Sequence, residues 1–415
     1  MCKALSSSVI FNKTWLSHFS STKNPSDFSF ITGVSFIKNK YLPIYESIGG
    51  SLLMSSNRYN LAKNDDNKFN NKLAIIYNLP SYQQTPSDSF LLKNGLKLRC
   101  IKEYEAYLAD FSQYENINNY FSKQVGSKKI GNIKRRKKRL EKCFNITYKL
   151  FYKANLSKNS YDMLMTDFKR LLINKFNSKK EFYPITDNHL WEFYNAVLFP
   201  MIENGEASLF VVYNNDIPIS FYLCYHFEGL VTGVIPVFDM AYSKFGLGSI
   251  TIMKLFEALY DLGIKTFDFY KGEYDYKNDW CNKNYTFEQH LIYNNSLISK
   301  SLAFVIANKL KFKQYLREKG VNNFYYKARY KLKYKSKEVK QILAPITITK
   351  NEFQELNLEP ISVFRNHHSN ILKHIYDYIY LKNIHIDNIN VYKNKDKSNV
   401  FIYENIMENT YIKLS

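Results

Sequence analysis

Two short stretches carry the residue types from which a group-transfer site can be built. The first is Tyr242-Ser243-Lys244-Phe245-Gly246-Leu247-Gly248-Ser249, where two glycines stand just ahead of an apolar run with helical spacing. Unpaired amides at a helix N-terminus attract phosphate, and glycine lets the backbone come close to it. That makes Lys244, Phe245, Gly246, Leu247, Gly248 and Ser249 candidates for holding a phosphate-bearing ligand. The second stretch runs from Thr266 to Trp280 and holds Asp268, Tyr270, Lys271, Glu273, Tyr276 and Lys277, with Asp239 lying ahead of the glycines. Asp239, Asp268 and Glu273 are carboxylates that can take a proton, and Tyr242, Tyr270 and Tyr276 are hydroxyls that can give one. Lys271 and Lys277 offer point charges to an anionic group. His226 shares a strand face with Tyr222 and Cys224, where a packed histidine is the ordinary outcome.

Other chemistries lack their parts. The chain shows no Ser-His-Asp or Cys-His nucleophile pattern, no Walker loop, no strand-linked Gly-x-Gly-x-x-Gly and no His-Glu-x-x-His. Its cysteines, Cys2, Cys100, Cys143, Cys224 and Cys281, are odd in number and scattered, which suits a reducing cytoplasm and gives no zinc-binding pair. His367, His368, His374 and His385 have no carboxylate or cysteine at ligand spacing, so no metal is expected. No run approaches the ~20 apolar residues of a membrane span, and the segment 4–11 is too short and polar for a secretory core.

The formal charge of +21 is concentrated in two places. Residues 123–142 hold ten basic side chains against Glu141, and residues 301–341 hold twelve against two acidic ones, so the two segments carry +9 and +10. Such blocks speak of anionic partners, or of solvated lysines in a chain rich in Lys, Asn, Ile and Tyr.

The elements that must position these residues sharpen along the chain. Residues 28–36 and 73–79 read as strands and 55–72 as loop, while 102–121 reads as a helix because Tyr104, Tyr107, Leu108, Phe111 and Tyr114 fall at helical spacing. A basic helix or linker follows through Lys142. From residue 144 the pattern gives a strand to 152, a helix after Ser160, and a second from Thr186-Asp187 that Pro200 bends or ends. An antiparallel meander of three strands then covers 209–213, 217–227 and 230–238. The glycine loop, a helix at 250–262, strands at 265–270 and 285–293 and a helix at 298–316 complete it, with further strands expected at 383–392 and 399–404.

This order resembles the GCN5-related N-acetyltransferase (GNAT) fold, an α+β (α/β) mixed sheet flanked by helices. The spacing Asp268-Phe269-x-x-Gly272-Glu273-x-x-Tyr276-Lys277-x-x-Trp280 resembles the motif of the GNAT subfamily named for cellulose-biosynthesis acetyltransferases. That subfamily also tends to have a basic helix ahead of the domain and an aromatic-Asp dipeptide before the loop, matched here by 134–141 and Phe238-Asp239. The family's loop begins with Arg or Gln, and Ser243 stands at that position. The resemblance covers about 120–295. Through the related FemAB-type transferases it implies two GNAT-like halves in tandem: a degenerate half at 1–120, a basic linker at 121–143, the acyltransferase domain at 144–320 and an extension at 321–415 of no assigned role.

The resemblance implies an acyl-CoA donor, acetyl-CoA or another, bound at 244–249, and an acyl group passed to an amine or hydroxyl of a sugar precursor or small metabolite, as in cell-surface polysaccharide synthesis. Asp239 or Glu273 would serve as base and Tyr242 or Tyr276 as proton donor to sulfur, with Asp268, Lys271, Lys277 and Trp280 near the acceptor. The alternatives are a FemAB-like transferase using aminoacyl-tRNA and a non-catalytic basic module at an anionic membrane surface.

Overall fold

The computed structural model describes residues 4–20, 24–50, 57–62, 69–82, 91, 95–154, 156–272, 274–333, 345–362, 369–397 and 400–414. Among them, twelve strands form one sheet: β1 (Ser26–Phe28), β2 (Ile31–Lys38), β3 (Ile44–Ser47), β4 (Asn60–Leu61), β5 (Leu73–Pro80), β6 (Leu96–Asp110), β7 (Ile146–Phe151), β8 (Ala207–Asn214), β9 (Ile217–Phe227), β10 (Leu230–Phe238), β11 (Thr266–Lys271) and β12 (Lys283–Asn294). Their order is β1-β2-β3-β5-β12-β6-β11-β10-β9-β8-β7, with β4 on β2. Pairing is mixed, since β10–β11 and β3–β5 are parallel and the other pairs antiparallel. This is the expected mixed sheet flanked by helices.

Period-two alternation sends the meander's side chains into two cores. Phe210, Val212, Tyr222 and Cys224 point to one face, where the basic helix Ser127–Cys143 supplies Ile130, Ile133 and Leu140 and the helix Leu247–Asp261 supplies Leu255, Phe256 and Leu259. Leu209, Val211, Phe221, Leu223 and Tyr225 point to the other, against the helices Lys158–Lys179 and Asn188–Glu203. The helix Val9–Phe19 joins this second core through Phe11 and Leu16. Strands so enclosed are buried on both faces, which fixes their register and gives the site a rigid floor.

Three expectations are corrected. The helix expected over 102–121 is instead the fifteen-residue strand β6, and the first helical turn there is Ile117–Tyr120. Its aromatic spacing suits a helix, but β12 and β11 take up its backbone hydrogen bonds from both sides, a tertiary reward that outweighs local pattern. Pro200 does not end its helix, which continues to Glu203. Only three residues follow the proline, so little of the helix depends on the bond it removes. At the C-terminus, β15 (Ile389–Asn394) and β16 (Phe401–Asn405) begin later than expected, and β13 (Pro345–Ile348), β14 (Leu358–Pro360) and β17 (Thr410–Leu414) join them in a separate antiparallel sheet ordered β13-β17-β16-β15-β14. The helix Ser369–Lys382 rises from this unit and buries Ile375, Tyr376 and Ile379 in the same core as the glycine loop.

Candidate active site

The site starts from a divergence in the sheet. β10 and β11 pair only at Leu230–Thr266, Val231–Phe267 and Thr232–Asp268. Beyond those residues β10 stays with β9 as far as Phe238 and β11 stays with β6 as far as Lys271, so the two strands part. A register shift between Gly233 and Ile235 adds a residue to β10 at the parting, where such bulges bend a strand.

A cavity of about 300 Å³ opens beside the far end of β10. Its walls are Pro236, Val237 and Phe238, the loop residues Ser243, Gly246, Leu247, Gly248 and Ser249, and Lys175 and Tyr276 across from them. Gly246 is the N-cap of the helix Leu247–Asp261, sits at φ +73°, and no side chain caps that helix. The amides of its first turn therefore have no side-chain acceptor, and the helix dipole adds a positive end. At Gly248 an added Cβ would lie 3.0 Å from the Phe238 ring, so this glycine lets the helix start press against β10.

Arg136 of the basic helix comes down over this loop. A Cβ built on Gly246 would be 3.2 Å from its Cδ and its Nη1. A guanidinium from another element thus lies where Ser243 cannot supply one, a placement with no local signal in the sequence. Lys175 was equally hidden in a helix read for its core face. Its ammonium donates to the Pro236 carbonyl at 2.9 Å, and burial draws its pKa down to about 8.

Of the residues expected to bind the donor, Gly246, Leu247, Gly248 and Ser249 line the cavity. Phe245 is buried against Phe144 and Tyr380, and Lys244 lies 5.9 Å over the Tyr380 ring. Of the proposed acid–base residues, Tyr276 lines the cavity, and its setting raises its pKa, so the phenol is protonated at neutral pH. Glu273 lies outside the described residues. The structure does not bring Asp239 or Tyr242 to the cavity wall. Asp239 caps the 3-10 helix Met240–Phe245 by accepting from the Ala241 amide at 3.0 Å, and burial raises its pKa. The Tyr242 hydroxyl is turned into the core, accepting from Asn214 at 3.0 Å and donating to Tyr376 at 3.4 Å.

The second motif is mostly a fastening for the end of β11. Lys277 is 3% exposed, and its ammonium donates to the carbonyls of Phe269, Tyr270 and Lys271 at 2.9, 3.0 and 3.0 Å. Those carbonyls belong to a strained turn, with Tyr270 at φ +59° and Gly272 at φ +108°. Asp268 is fully buried, accepting from the Tyr270 amide at 2.7 Å and from the Tyr285 hydroxyl at 2.5 Å. Burial lifts its pKa to about 6 against the pull of these bonds and of Lys277. Trp280 is buried edge-on against Phe121 and Phe256. Asp268 and Lys277 are thus committed to holding the turn and Trp280 to the core, whereas Lys271 extends into a different cleft with Glu103 and Arg317. His226 is packed as expected, bonded to Ser208 at 2.7 Å and stacked on Tyr152, with its pKa drawn down to about 4 by burial.

The C-terminal helix buttresses the loop from behind. Tyr376 packs on Phe144 and Tyr242, and Arg139 lies over Tyr380 while donating to its carbonyl at 3.1 Å. One further cluster arises from strand pairing alone. Cys100 on β6 faces His290 on β12, and with Glu288 their ligand atoms lie within 4.8 Å of one another, a set that could hold a metal ion. Without one, His290 bonds to Tyr59 at 2.9 Å and to Glu288 at 3.2 Å.

Residues 127–278 match a family model described as an acetyltransferase (GNAT) domain. Among solved structures, FemX is similar at a TM-score of 0.45 and 12% identity, over 66% of this chain and 86% of FemX. L-PGS from Bacillus licheniformis is similar at 0.41 and 11%, over 75% of this chain and 98% of that one. A tandem GNAT protein from the clavulanic acid biosynthesis pathway gives 0.32 and 8%, over 62% and 77%. No curated protein matches the chain. The matched segment, which marks the protein as an acyltransferase, spans the basic helix, the meander, the glycine loop and most of the Asp268–Trp280 motif.

Proposed function

We propose that this protein transfers an acyl group from acyl-CoA, acetyl-CoA in the simplest case, to an amine of a sugar precursor or small metabolite, in the manner of the cellulose-biosynthesis-type acetyltransferases. The observation that carries this reading is the cavity beside the far end of β10, walled by an uncapped helix N-terminus. The amides of Leu247 and Gly248 would take the CoA pyrophosphate, with Arg136 above them. The thioester would lie along Pro236–Phe238. As the amine forms its bond to the acyl carbon and the C–S bond breaks, the departing thiolate takes a proton from the Tyr276 hydroxyl.

Calorimetry with CoA and acetyl-CoA tests the donor site. Wild type should bind both, Gly246→Trp should stay folded by circular dichroism and lose binding, and Arg136→Ala should bind about tenfold more weakly with a reduced dependence on salt. A wild-type chain that binds neither ligand defeats the reading. The exposed cations of the basic helix would then favour tRNA, where a preference for the aminoacylated form would be diagnostic.

A further inference from the structure

The donor reading leaves a second cleft unused, about 760 Å³ and walled by the N-terminal helix, β3, β6, the 182–194 segment, β11 and the two helices Leu297–Glu318 and Val321–Lys333. We infer that this cleft receives the acceptor, an amine that also carries an anionic group, and that Lys271 takes the proton which the acceptor's ammonium must lose. The inference rests on the acyl-CoA reading for its other half.

Lys271 is the last residue of β11, and Tyr276, which lines the donor cavity, stands five residues further on. Its position is held firmly, because its own carbonyl is one of the three bound by Lys277. The Lys271 ammonium donates to Asn78 Oδ1 at 2.9 Å and lies 4.8 Å over the Tyr104 ring. Burial brings its pKa down to about 8, with Glu103 on β6 favouring its charged form and Arg317 and Lys313 on the facing helix opposing it. An amine titrating there exchanges protons near neutral pH.

The cleft's charges point to an anionic end on the acceptor. Lys313 has no carboxylate partner among the described residues, Arg317 stacks 3.7 Å over Tyr104 with Glu103 no closer than 3.8 Å, and Arg329 lies 4.1 Å over Phe182. Of the cleft's other carboxylates, Glu46 accepts from Tyr77 at 2.8 Å and Asp187 caps its helix through the His189 amide at 3.2 Å, which leaves Glu103 as the single carboxylate facing Lys271, Lys313 and Arg317 among the described residues. Tyr183, Tyr194 and Trp15 add ring faces suited to a flat or ring-shaped body. In the reaction the acceptor nitrogen sheds two protons. One goes to neutral Lys271 before attack and then to solvent, and the other leaves the nitrogen after the bond to the acyl carbon has formed and reprotonates the Tyr276 phenolate, whose own proton has gone to sulfur, leaving an amide, free CoA thiol and one proton released to solvent.

Glucosamine 6-phosphate has an amine, a phosphate and a ring, and serves as the probe, with glucosamine as its uncharged-end counterpart. Thiol release from acetyl-CoA would be followed from pH 6 to 10, with CoA binding measured on every variant. The expected results are a wild-type kcat/KM that rises with pH to a plateau beginning near 8, a loss of 100-fold or more and of that inflection in Lys271→Met with CoA binding retained, and a KM raised about tenfold for the phosphate probe alone in the surface variant Lys313→Ala. Unchanged rate and profile in Lys271→Met overturn the base role. Wild type that binds CoA but neither turns over the probe nor shows Trp15 quenching with it overturns the cleft assignment. Wild type that does not bind CoA overturns the donor reading instead, and the base role with it.

Discussion

Replacing Lys277 by methionine separates a structural lysine from a ligand-binding one. In the wild type its ammonium bonds to three carbonyls at 2.9–3.0 Å. Bonds to a charged donor are worth about 1.5–3 kcal/mol each, so the set contributes roughly 4.5–9 kcal/mol. Against that stands the cost of burying the charge. The fall of its pKa from 10.5 to about 8 converts at 1.36 kcal/mol per unit to about 3.4 kcal/mol. The difference, roughly 1–6 kcal/mol, centres near 3 kcal/mol, and methionine of similar length forfeits it while leaving three carbonyls without a donor. Urea unfolding should therefore show a loss of about 3 kcal/mol, and hydrogen exchange should quicken at the turn 269–272. CoA affinity should change less than stability, since Lys277 is not in the donor cavity wall. An unchanged unfolding midpoint together with a large loss of CoA affinity would refute this reasoning and make Lys277 a charge that binds an anionic group.

Two other perturbations follow from the same structure. Asp268 has its pKa raised from 3.8 to about 6, so the native state holds a proton through a window in which the unfolded chain has lost it, and stability falls as pH rises from about 4 to 6. Denaturation of wild type and Asp268→Asn at pH 4 and 7 should show about 3 kcal/mol less stability gain for wild type on going up in pH, by the conversion of about two units. Truncating Tyr376, 2% exposed between Phe144 and Tyr242, to alanine should cost about 3–5 kcal/mol and raise exchange at 240–248. Tyr376→Phe should cost only about 1 kcal/mol for its single hydroxyl contact.

What the sequence determined by itself lies in near-neighbour relations. Turn residues at Asn215-Asp216 and Glu228-Gly229, alternating apolar runs at 207–238 and the glycines ahead of a helical stretch specify the meander, the loop and the helix Leu247–Asp261 without reference to distant chain. The apolar pattern that gives a strand at 265–270 located β11 within one residue at each end. Tertiary structure alone decided the rest. β6 carries a helical pattern and becomes a strand because β11 and β12, more than a hundred residues later, supply its hydrogen-bond partners. Lys277, read from the sequence as a point charge for an anionic group, is a buried donor, because Tyr270 and Gly272 turn three carbonyls toward one point. Arg136, Lys175 and the face of the C-terminal helix reach the loop from elements whose local sequence encodes only a helix. A charge whose role depends on which carbonyls, rings or amides surround it after folding has no signature in its neighbours along the chain.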